Sequence, residues 1–581
     1  MAVPAANRAE RLALIALVLY ALLLFNLFRM QVLKGAYYHE LSEKNRIRVV
    51  FLEGTRGKLL DRKGRALATS RLSFNCSAVP WELKKGDVRR TSEILSRILG
   101  ESAETLEKRF KDRRKAGAFN TVILAEDIGA EKAVRIEELL DTLPGIIIET
   151  RPQRVYPYGD AAAHLTGYIG PMNQTEKDEL EVYGYRERDW LGRDGLERSY
   201  ESTLHGTSGG LQIEVNSRGK LLRALGVREP RDGKDVRLSV DAELQKFVQQ
   251  QLEGTKGAVV VIDLADGGIL SVNSSPSFDP NLFATAKGRR DVGKYLKDEL
   301  APMLDRAIHG GHPPGSIYKI VTALAALQKG RMTPHSTIYC PGQAVIGGIR
   351  FGCWKETGHG SQDLRQAMAH SCNVYFYNAG LAAGADAIHA LSLDLGMSKP
   401  TGVDLPNEKS GFVPSRAWKR SARGTGWFDG ETANLSIGQG YLQVTPIQAA
   451  LMVSAVALDG RLPRPHLVKE IDGQKAYEPS FKALKIDPAV LRAVKEGMDA
   501  VVNTDTGTGR LSRAEGTRVA GKTGTAQSGK DRTHAWFVGY APSDKPRAAM
   551  VVFLEHGGRG GVSAAKIASQ VFGWLVKEGY A

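Results

Sequence analysis

The segment around Ser316 holds a serine and a lysine at a spacing that suits nucleophilic catalysis. Lys319 follows Ser316 by three residues, and the sequence continues as IVTALAAL. Apolar residues on nearly every side predict a buried helix, with Ser316 and Lys319 in its first turn and on one face. Burial lowers the pKa of a lysine, so Lys319 can act as a base. Ser-x-x-Lys alone is weak evidence for catalysis, because the pattern is common by chance. The alternative is a serine at the start of a helix with a lysine that reaches the solvent.

A second polar motif is the tripeptide Ser371-Cys372-Asn373, which lies between two predicted helices. A loop of this kind can present a hydroxyl and an amide to a cleft. Capping of a helix by Ser371 or Asn373 is the simpler interpretation of the tripeptide in isolation.

A third motif, Lys522-Thr523-Gly524-Thr525, lies on a predicted strand. A glycine within a strand often marks the close approach of a ligand or of another backbone. One lysine and two threonine hydroxyls around Gly524 form a site that suits a carboxylate. An ordinary edge strand is the alternative.

Three of the four cysteines lie in the same region of the chain, together with one histidine. Cys340, Cys353, His359 and Cys372 form a tetrahedral zinc set of a common type. The sequence therefore predicts a structural zinc that fixes the 340–372 loop, with no open position for a catalytic water. The spacings are wider than in a zinc finger. A disulfide, which would leave one thiol unpaired, and buried cysteines without metal are the alternatives.

The elements that must position these motifs follow from strand-like segments beyond residue 236. Two lie before the helix-rich middle and three after it, which predicts one antiparallel sheet with helices on its faces, an α+β fold. A final amphipathic helix is expected at 563–577, and residues 91–142 are expected to be helical. The five strand segments are 257–263, 269–275, 518–527, 534–542 and 547–556.

The N-terminal region indicates a membrane anchor. Residues 12–28 are apolar except for Asn26, and continuation to Leu33 gives the ~20 residues that a membrane-spanning helix needs. Arg8 and Arg11 precede the run, which predicts a cytoplasmic N-terminus. No small-x-small cleavage pattern follows, so an uncleaved signal anchor is favoured over a cleaved signal peptide.

The domain layout follows from the anchor and from the polar, turn-rich segment at 227–235. We expect a cytoplasmic tail (1–11), a transmembrane signal anchor (12–33), a non-catalytic pedestal (34–235) and a catalytic domain (236–581) outside the inner membrane. The formal net charge is +15. No nucleic-acid motif accompanies it, so solvated basic faces are favoured over nucleic-acid binding.

Taken together, Ser-x-x-Lys, Ser-x-Asn and Lys-Thr-Gly on a helix, a loop and a strand are a specific combination. Residues 236–581 resemble the penicillin-binding protein and serine β-lactamase superfamily. Both the N-terminal and the C-terminal half of this chain resemble class B penicillin-binding proteins in particular. Within that class, the chain resembles the elongation type more than the septal type. The segments that carry the resemblance are TRGKLLDRKGRALATS (55–70), RVYPYGDAAAHLTGYIG (154–170), SFDPN (277–281), RAIHGGHPPGSIYK (306–319), SIGQGYLQVTPIQAA (436–450) and GKTGTAQ (521–527).

The resemblance implies a five-stranded penicillin-binding transpeptidase fold on an elongated pedestal, and acyl transfer from a stem peptide ending in D-Ala-D-Ala. Lys319 would take the proton of Ser316, which attacks the penultimate carbonyl and forms an acyl-enzyme. Ser371, supported by Lys522, would protonate the leaving D-Ala. An amine of a neighbouring stem peptide would then attack the acyl-enzyme. The chemistry needs no cofactor.

The resemblance also assigns substrate-binding roles. Backbone N–H groups of Ser316 and Thr525 would form the oxyanion hole, and Asn373 would hold the peptide amide. Thr523, Gly524 and Thr525 would bind the terminal carboxylate. One departure is Ile317-Tyr318, where many relatives have Thr-Phe; it leaves the catalytic pair intact.

The partners implied by the resemblance are peptidoglycan stem peptides, β-lactam antibiotics, and a SEDS-type glycan polymerase with an elongation-complex scaffold that bind the pedestal. Three other functions share features with this sequence. A D,D-carboxypeptidase or β-lactamase uses the same three motifs. A β-lactam-sensing receptor has several membrane spans, whereas one is expected here. A non-catalytic activator of a glycan polymerase would not need intact motifs.

Overall fold

The computed structural model describes residues 5–39, 47–79, 87–113, 121–186, 189–215, 221–529 and 532–581. The chain forms two compact units. One comprises Met1–Thr55 and His205–Gly233, and the other comprises Arg56–Leu204 and Lys234–Ala581.

The α-helices are numbered here in chain order. They are α1 (Ala5–Phe28), α2 (Asp87–Leu99), α3 (Ala103–Arg113), α4 (Ala130–Glu137), α5 (Ala163–Thr166), α6 (Gln174–Leu180), α7 (Gly195–Ser199), α8 (Glu201–Leu204), α9 (Ala242–Gln251), α10 (Ala286–Lys297), α11 (Lys319–Gln328), α12 (Leu364–Ala369), α13 (Asn373–Ala383), α14 (Ala385–Asp394), α15 (Arg416–Arg423), α16 (Asp429–Ser436), α17 (Pro446–Ala457), α18 (Pro488–Asn503) and α19 (Ser563–Lys577).

The strands form several sheets and hairpins. They are β1 (Ile47–Leu52), β2 (Leu59–Leu60), β3 (Ala66–Ala78), β4 (Val122–Ala125), β5 (Ile146–Val155), β6 (Ile169–Pro171), β7 (Trp190–Gly192), β8 (Gly209–Val215), β9 (Leu221–Arg228), β10 (Val236–Leu238), β11 (Gly257–Asp263), β12 (Ile269–Ser275), β13 (Ile338–Cys340), β14 (Gln343–Ile346), β15 (Ile349–Gly352), β16 (Gly360–Gln362), β17 (Arg461–Pro463), β18 (Val468–Ile471), β19 (Gln474–Lys475), β20 (Phe481–Ala483), β21 (Ala520–Gln527), β22 (Thr533–Ala541) and β23 (Ala548–Leu554).

The smaller unit contains the apolar helix and a small sheet. Residues Ala9–Leu33 form a helix that is long and apolar enough to cross a membrane, and its side chains are exposed. This is the segment for which the sequence predicts a span. Strands β1, β8 and β9 form a three-stranded antiparallel sheet in the same unit.

In the larger unit, strands of the predicted pedestal share a sheet with later segments of the chain. The sheet order is β19-β18-β10-β2-β3-β4, and β5 pairs with β3. The prediction that residues 91–142 are helical is wrong for β4, while residues 114–120 lie outside the described part. Three of the four β4 residues are buried, and β4 pairs with β3, because an apolar Val-Ile-Leu run fits a sheet as readily as a helix.

A buried charge cluster connects distant parts of the pedestal sequence. Glu197 is fully buried, and its carboxylate accepts hydrogen bonds from Arg56 (2.5 Å) and Arg154 (2.7 Å). Arg56 also contacts Glu201 at 2.6 Å. The two guanidinium groups lower the pKa of Glu197 against the opposing effect of burial. Arg56 and Arg154 therefore stabilise a buried carboxylate and do not belong to a solvated basic surface.

The catalytic sheet is the five-stranded antiparallel sheet that the sequence predicts. Its order is β12-β11-β23-β22-β21, so the first two strands and the last three pair through β11 and β23. All residues of α17 are buried, and this helix packs on β11, β22 and β23. The final helix α19 packs on β22 and β23. Strand β21 lies at one edge.

Candidate active site

Ser316 lies in a tight turn that two other segments hold in place. The turn Gly315–Tyr318 is a 3-10 helix, and α11 begins only at Lys319. Gly315, directly before Ser316, has a φ of +56°, a conformation that glycine adopts readily. Gly315 N–H donates to the carbonyl of Gly438 at 2.9 Å. The Ser316 side chain is partly exposed and makes no hydrogen bond with the described residues.

Lys319 is buried beside the Ser-x-Asn motif. Its Nζ donates to the Ser371 carbonyl (2.8 Å), to Ser371 Oγ (3.3 Å) and to Asn373 Oδ1 (2.7 Å). Burial lowers the pKa of Lys319 to about 8, although two nearby thiols oppose the shift. The predicted burial of Lys319 is confirmed.

The hydroxyl of Ser371 connects two lysines. Lys522 Nζ donates to Ser371 Oγ at 2.9 Å and to the Thr523 carbonyl at 2.9 Å. Burial, followed by the nearby charge of Lys319, places the pKa of Lys522 well below its usual value. Ser371 itself has a φ of +53°, an uncommon conformation for a residue with a side chain. The backbone there directs one hydroxyl toward both amines.

The Lys-Thr-Gly segment lies on β21, with its outer edge unpaired in the sheet. A Cβ at Gly524 would lie 2.9 Å from the Pro314 carbonyl oxygen, so the glycine lets the Ser316 turn approach the strand. Thr525 is exposed, and its Oγ1 accepts a hydrogen bond from Gly560 N–H at 3.2 Å. An unpaired edge can bind an extended peptide as an additional strand.

Thr508 belongs to the same site, and the sequence analysis missed it. Thr523 Oγ1 donates to Thr508 Oγ1 at 2.9 Å, and Thr508 N–H donates to the carbonyl of Ala369, two residues before Ser371. The available signal was the threonine- and glycine-rich run at 504–509. It has no regular periodicity, so it indicated only a loop.

The four predicted metal ligands come together beside the Ser-x-Asn motif. The ligand atoms of Cys340, Cys353, His359 and Cys372 all lie within 4.8 Å of one another. His359 Nδ1 is 3.7 Å from Cys340 Sγ and 3.5 Å from Cys353 Sγ. Tetrahedral zinc with ordinary bond lengths separates a sulfur and a nitrogen ligand by about 3.5 Å. The arrangement therefore fits such an ion.

Two family models match most of the chain. The penicillin-binding protein transpeptidase domain matches residues 257–573, and the penicillin-binding protein dimerisation domain matches residues 51–238. The chain belongs to the penicillin-binding protein transpeptidase family.

Individual relatives specify the class. The peptidoglycan D,D-transpeptidase MrdA of Haemophilus influenzae is 34% identical over 97% of this chain and 90% of its own length, and that of Acinetobacter baumannii is 36% identical over 92% and 82%. The solved complex of PBP2 with MreC from Helicobacter pylori has a TM-score of 0.82 at 30% identity, covering 92% of this chain and 99% of that one. Pseudomonas aeruginosa PBP2 in complex with WCK 5153 has a TM-score of 0.70 at 32% identity, covering 92% and 98%.

This class B penicillin-binding protein is therefore an elongation-type peptidoglycan D,D-transpeptidase. The transpeptidase fold, the pedestal match and the single apolar N-terminal helix confirm the expected fold class. Together, the helix and the relatives indicate a single-pass, membrane-anchored protein.

The cysteine cluster of this transpeptidase is hydrogen-bonded to Asn373 of the Ser-x-Asn motif. Asn373 N–H donates to Cys353 Sγ at 3.4 Å, and Asn373 Nδ2 donates to the Gly352 carbonyl at 3.3 Å. All four cysteines of the chain are free thiols in this structure. A hydrogen bond from the Cys372 thiol and several backbone N–H groups lower the pKa of Cys353, against the opposing effect of burial.

We predict that Gly438→Ala slows acylation of the protein by penicillin about 100-fold, because a displacement of about 1 Å at a reacting group has this effect. A Cβ at Gly438 would lie 2.1 Å from the Gly315 carbonyl oxygen and would displace the Ser316 turn. The measurement is the rate of penicillin attachment by intact-protein mass.

Gly440→Ala is the matched control. Gly440 has a φ of +81° and Gly438 one of +74°, so an alanine is strained at either position. The nearest atom to a Cβ at Gly440 is 3.8 Å away, in Asn434. We expect Gly440→Ala to keep a near-normal rate. Equal losses in both variants would show that backbone strain, and not the contact with the Ser316 turn, is responsible.

Proposed function

We propose that Ser316 is the nucleophile, that Lys319 is its base, and that the acyl-enzyme passes a stem peptide to the amine of a neighbouring one with release of D-Ala. The observation that carries this assignment is the sharing of one buried hydroxyl, Ser371 Oγ, by Lys319 and Lys522. Two positively charged amines on the same hydroxyl repel each other strongly. At least one of them is therefore favoured in its neutral, proton-accepting form.

The proposal gives Lys319 the first proton transfer. Its amine accepts the proton of Ser316 Oγ as the serine attacks the penultimate carbonyl, and a tetrahedral oxyanion forms. Backbone N–H groups of Ser316 and Thr525 stabilise that oxyanion, with a contribution of about 10²–10³ in rate for each donor. The free side chain of Ser316 supports this role, since catalytic hydrogen bonds often tighten only when substrate is present.

The collapse of the tetrahedral intermediate requires a proton for the leaving amine of D-Ala. Ser371 passes on the proton that Lys319 accepted from Ser316, since Lys319 Nζ lies 3.3 Å from Ser371 Oγ, and Lys522 supports Ser371 through a 2.9 Å hydrogen bond to the same oxygen. Asn373 holds the peptide amide. The β21 edge aligns the substrate, with its carboxylate on Thr525, Gly524 and Thr523. The exposed Thr525 hydroxyl accepts from Gly560, which leaves its proton available for that carboxylate.

We further propose a structural zinc held by Cys340, Cys353, His359 and Cys372. When bound, the ion would cross-link β13, the end of the β14–β15 hairpin and the start of α13 without taking part in the reaction. The separation of the ligand atoms and the hydrogen bond from Asn373 N–H to Cys353 Sγ support this role. A fixed position of Cys353 would also fix the position of Asn373, whose Oδ1 accepts a hydrogen bond from Lys319.

The domain layout and orientation complete the proposal. The family matches at 51–238 and 257–573 support a pedestal (34–235) and a transpeptidase domain (236–581). The basic flank before the anchor supports a cytoplasmic tail (1–11), a signal anchor (12–33) and a catalytic domain outside the inner membrane. β-Lactams would acylate Ser316 in place of the stem peptide.

We predict that penicillin acylates wild-type protein at Ser316 alone, and that Ser316→Ala removes this modification. The physical reason is that no other described serine has a buried lysine three residues away in the same turn. Intact-protein mass followed by peptide mapping measures the adduct. A Ser316→Ala protein that still gains the mass of the drug would refute the assignment.

The acylation rate is expected to rise with pH, with a midpoint near the Lys319 pKa of about 8. Below that pKa the amine is protonated and cannot accept the serine proton, and above it the amine is free. The measurement is the rate of penicillin attachment between pH 6 and 10, compared with Lys319→Arg, whose side chain stays charged throughout. A flat profile for wild type, or normal acylation of Lys319→Arg, would contradict Lys319 as the base.

We predict about one equivalent of zinc in protein purified without chelator or metal-affinity tag, since three thiolates and an imidazole fill a tetrahedral site. Cys353→Ser should lose zinc and penicillin acylation together, because it removes a thiolate ligand and so loosens the loop that carries Asn373. Cys76→Ser removes another fully buried thiol, far away on β3, and should keep the metal. Less than about a tenth of an equivalent in wild type, or a mapped Cys340–Cys353 disulfide, would exclude the zinc site.

The pedestal is proposed to bind an elongation scaffold and a SEDS-type glycan polymerase. The solved H. pylori complex contains PBP2 with MreC, and another solved match concerns a peptidoglycan synthase complex. In this chain Leu222 (58% exposed) and Val227 (55% exposed) form part of an apolar surface on β9. We predict that Leu222→Asp with Val227→Asp reduces co-purification of these partners from membranes.

Leu72→Asp is the control for the partner experiment, because Leu72 is an exposed leucine (64%) elsewhere on the pedestal. Similar recovery of both partners with all three proteins would mean that β9 is not the docking strand.

A further inference from the structure

Helix α15 carries a row of arginines with incomplete charge compensation. Arg416, Arg420 and Arg423 are spaced by four and three residues, so they share one face, and all three are exposed. Arg416 pairs with Asp386 at 3.3 Å. Within the described residues, Arg420 and Arg423 have no carboxylate partner. Like charges one turn apart repel each other, so the row favours an external anion.

An aromatic layer holds part of this row in place. The guanidinium of Arg423 lies 5.6 Å from the ring centre of Tyr441. The Tyr441 ring packs edge-on against Trp418 at 5.1 Å, and Trp418 packs against Phe412 at 4.7 Å. Tyr441 is still 41% exposed. A cation fixed over an accessible ring can bind a ligand that has both an anionic and an apolar part.

A buried lysine next to the row anchors α15 to the protein. Lys419 is buried, forms an ion pair with Glu431 of α16, and lies 4.4 Å from the ring centre of Phe428. The helix therefore cannot rotate its arginines away without exposing a buried ion pair. This fixed orientation distinguishes the row from flexible surface charges.

Two chains of contacts link the arginine row to the segments around Ser316. Tyr441 follows Gly438 by three residues, and the Gly438 carbonyl accepts from Gly315 beside the nucleophile. On the other side, a Cβ at Gly430 would lie 2.9 Å from the Phe351 ring, and Phe351 is adjacent to Gly352 on β15. The Gly352 carbonyl accepts from Asn373 Nδ2.

The first connection sets an upper limit on the distance between Tyr441 and the Ser316 turn. Three residues span at most about 11 Å, and an extended pentapeptide spans about 17 Å. A peptide at Ser316 can therefore reach Tyr441 and Arg423.

We propose that Arg420, Arg423 and Tyr441 form a subsite for the internal carboxylate of a stem peptide, before its D-Ala-D-Ala end. This inference rests on the proposed function, because it takes the ligand of the cleft to be a stem peptide. The arginines contribute charge recognition, and the tyrosine ring contacts the apolar part of the peptide. The simpler interpretation is that arginines in a last helical turn stabilise the helix; that role would not discriminate between peptides.

The test uses the full chain in detergent and two synthetic peptides ending in D-Ala-D-Ala, one with an internal glutamate and one with glutamine there. Transpeptidation kcat/KM is measured by mass spectrometry of the products. We expect wild type to prefer the glutamate peptide, and Arg420→Gln with Arg423→Gln to reduce that preference about fivefold. High salt should reduce it in wild type as well.

Two versions of the experiment identify which peptide, the acyl donor or the acceptor, carries the carboxylate that the subsite binds. In one, only the acyl donor contains glutamate, and in the other, only the acceptor does. If the Arg420→Gln with Arg423→Gln variant loses the preference in either version, the result supports the subsite and assigns it to the peptide that carries glutamate in that version. The matched control is Arg492→Gln with Lys566→Gln, which removes two exposed charges from α18 and α19 and should keep the wild-type preference.

An unchanged preference in the Arg420/Arg423 variant, or an equal loss in the control, would overturn the proposed subsite. The comparison between peptides is made within each protein, so partial unfolding changes both rates and leaves their ratio intact. Penicillin labelling of wild-type Ser316 is measured separately. Its failure would count against the proposed function, whereas normal labelling without a peptide preference would count against the arginine subsite alone.

Discussion

The active site depends on the burial of two lysine amines around a single serine hydroxyl. Lys319 and Lys522 are both fully buried, and Ser371 Oγ is within hydrogen-bond distance of each. Two buried cations without a carboxylate between them would be very unfavourable, so the surrounding fold must favour loss of a proton. Each lysine comes from a different element, α11 or β21, and the packing between them fixes the chemistry.

The same constraint explains several features around the lysines. Glycines at 315, 438 and 524 remove side chains where backbones meet, so that the Ser316 turn reaches the edge of β21. Ser371 adopts a positive φ, a conformation that its neighbours must stabilise. The cysteine cluster contacts Asn373 through the hydrogen bond from its backbone N–H to Cys353 Sγ. A change in the bonding of the cysteines would therefore move Asn373, which accepts a hydrogen bond from Lys319.

Much of this arrangement could be predicted from the sequence, for reasons that are local. Strand β11 and helix α19 begin and end where the analysis expected them, because their apolar patterns are continuous and bounded by turn residues. The 3-10 turn at Ser316 and the positive φ of Ser371 were not predictable, since packing against distant segments determines them. Thr508 was missed for the same reason: its role comes from a contact with Thr523. Strand β4 was missed because a four-residue apolar run does not distinguish a strand from a helix.

The pairing of β11 with β23 has a consequence for synthesis of the protein. Gly257 pairs with Leu554, so the first and last parts of the catalytic sheet are separated by nearly the whole length of the domain. Pairings this remote in sequence form slowly, because a long loop must close first. During synthesis, β11 and β12 cannot complete their sheet until the three last strands have been translated. Ser316 therefore lacks its neighbours on β21 until almost the final residues have been made, so an unfinished chain does not present the complete candidate site.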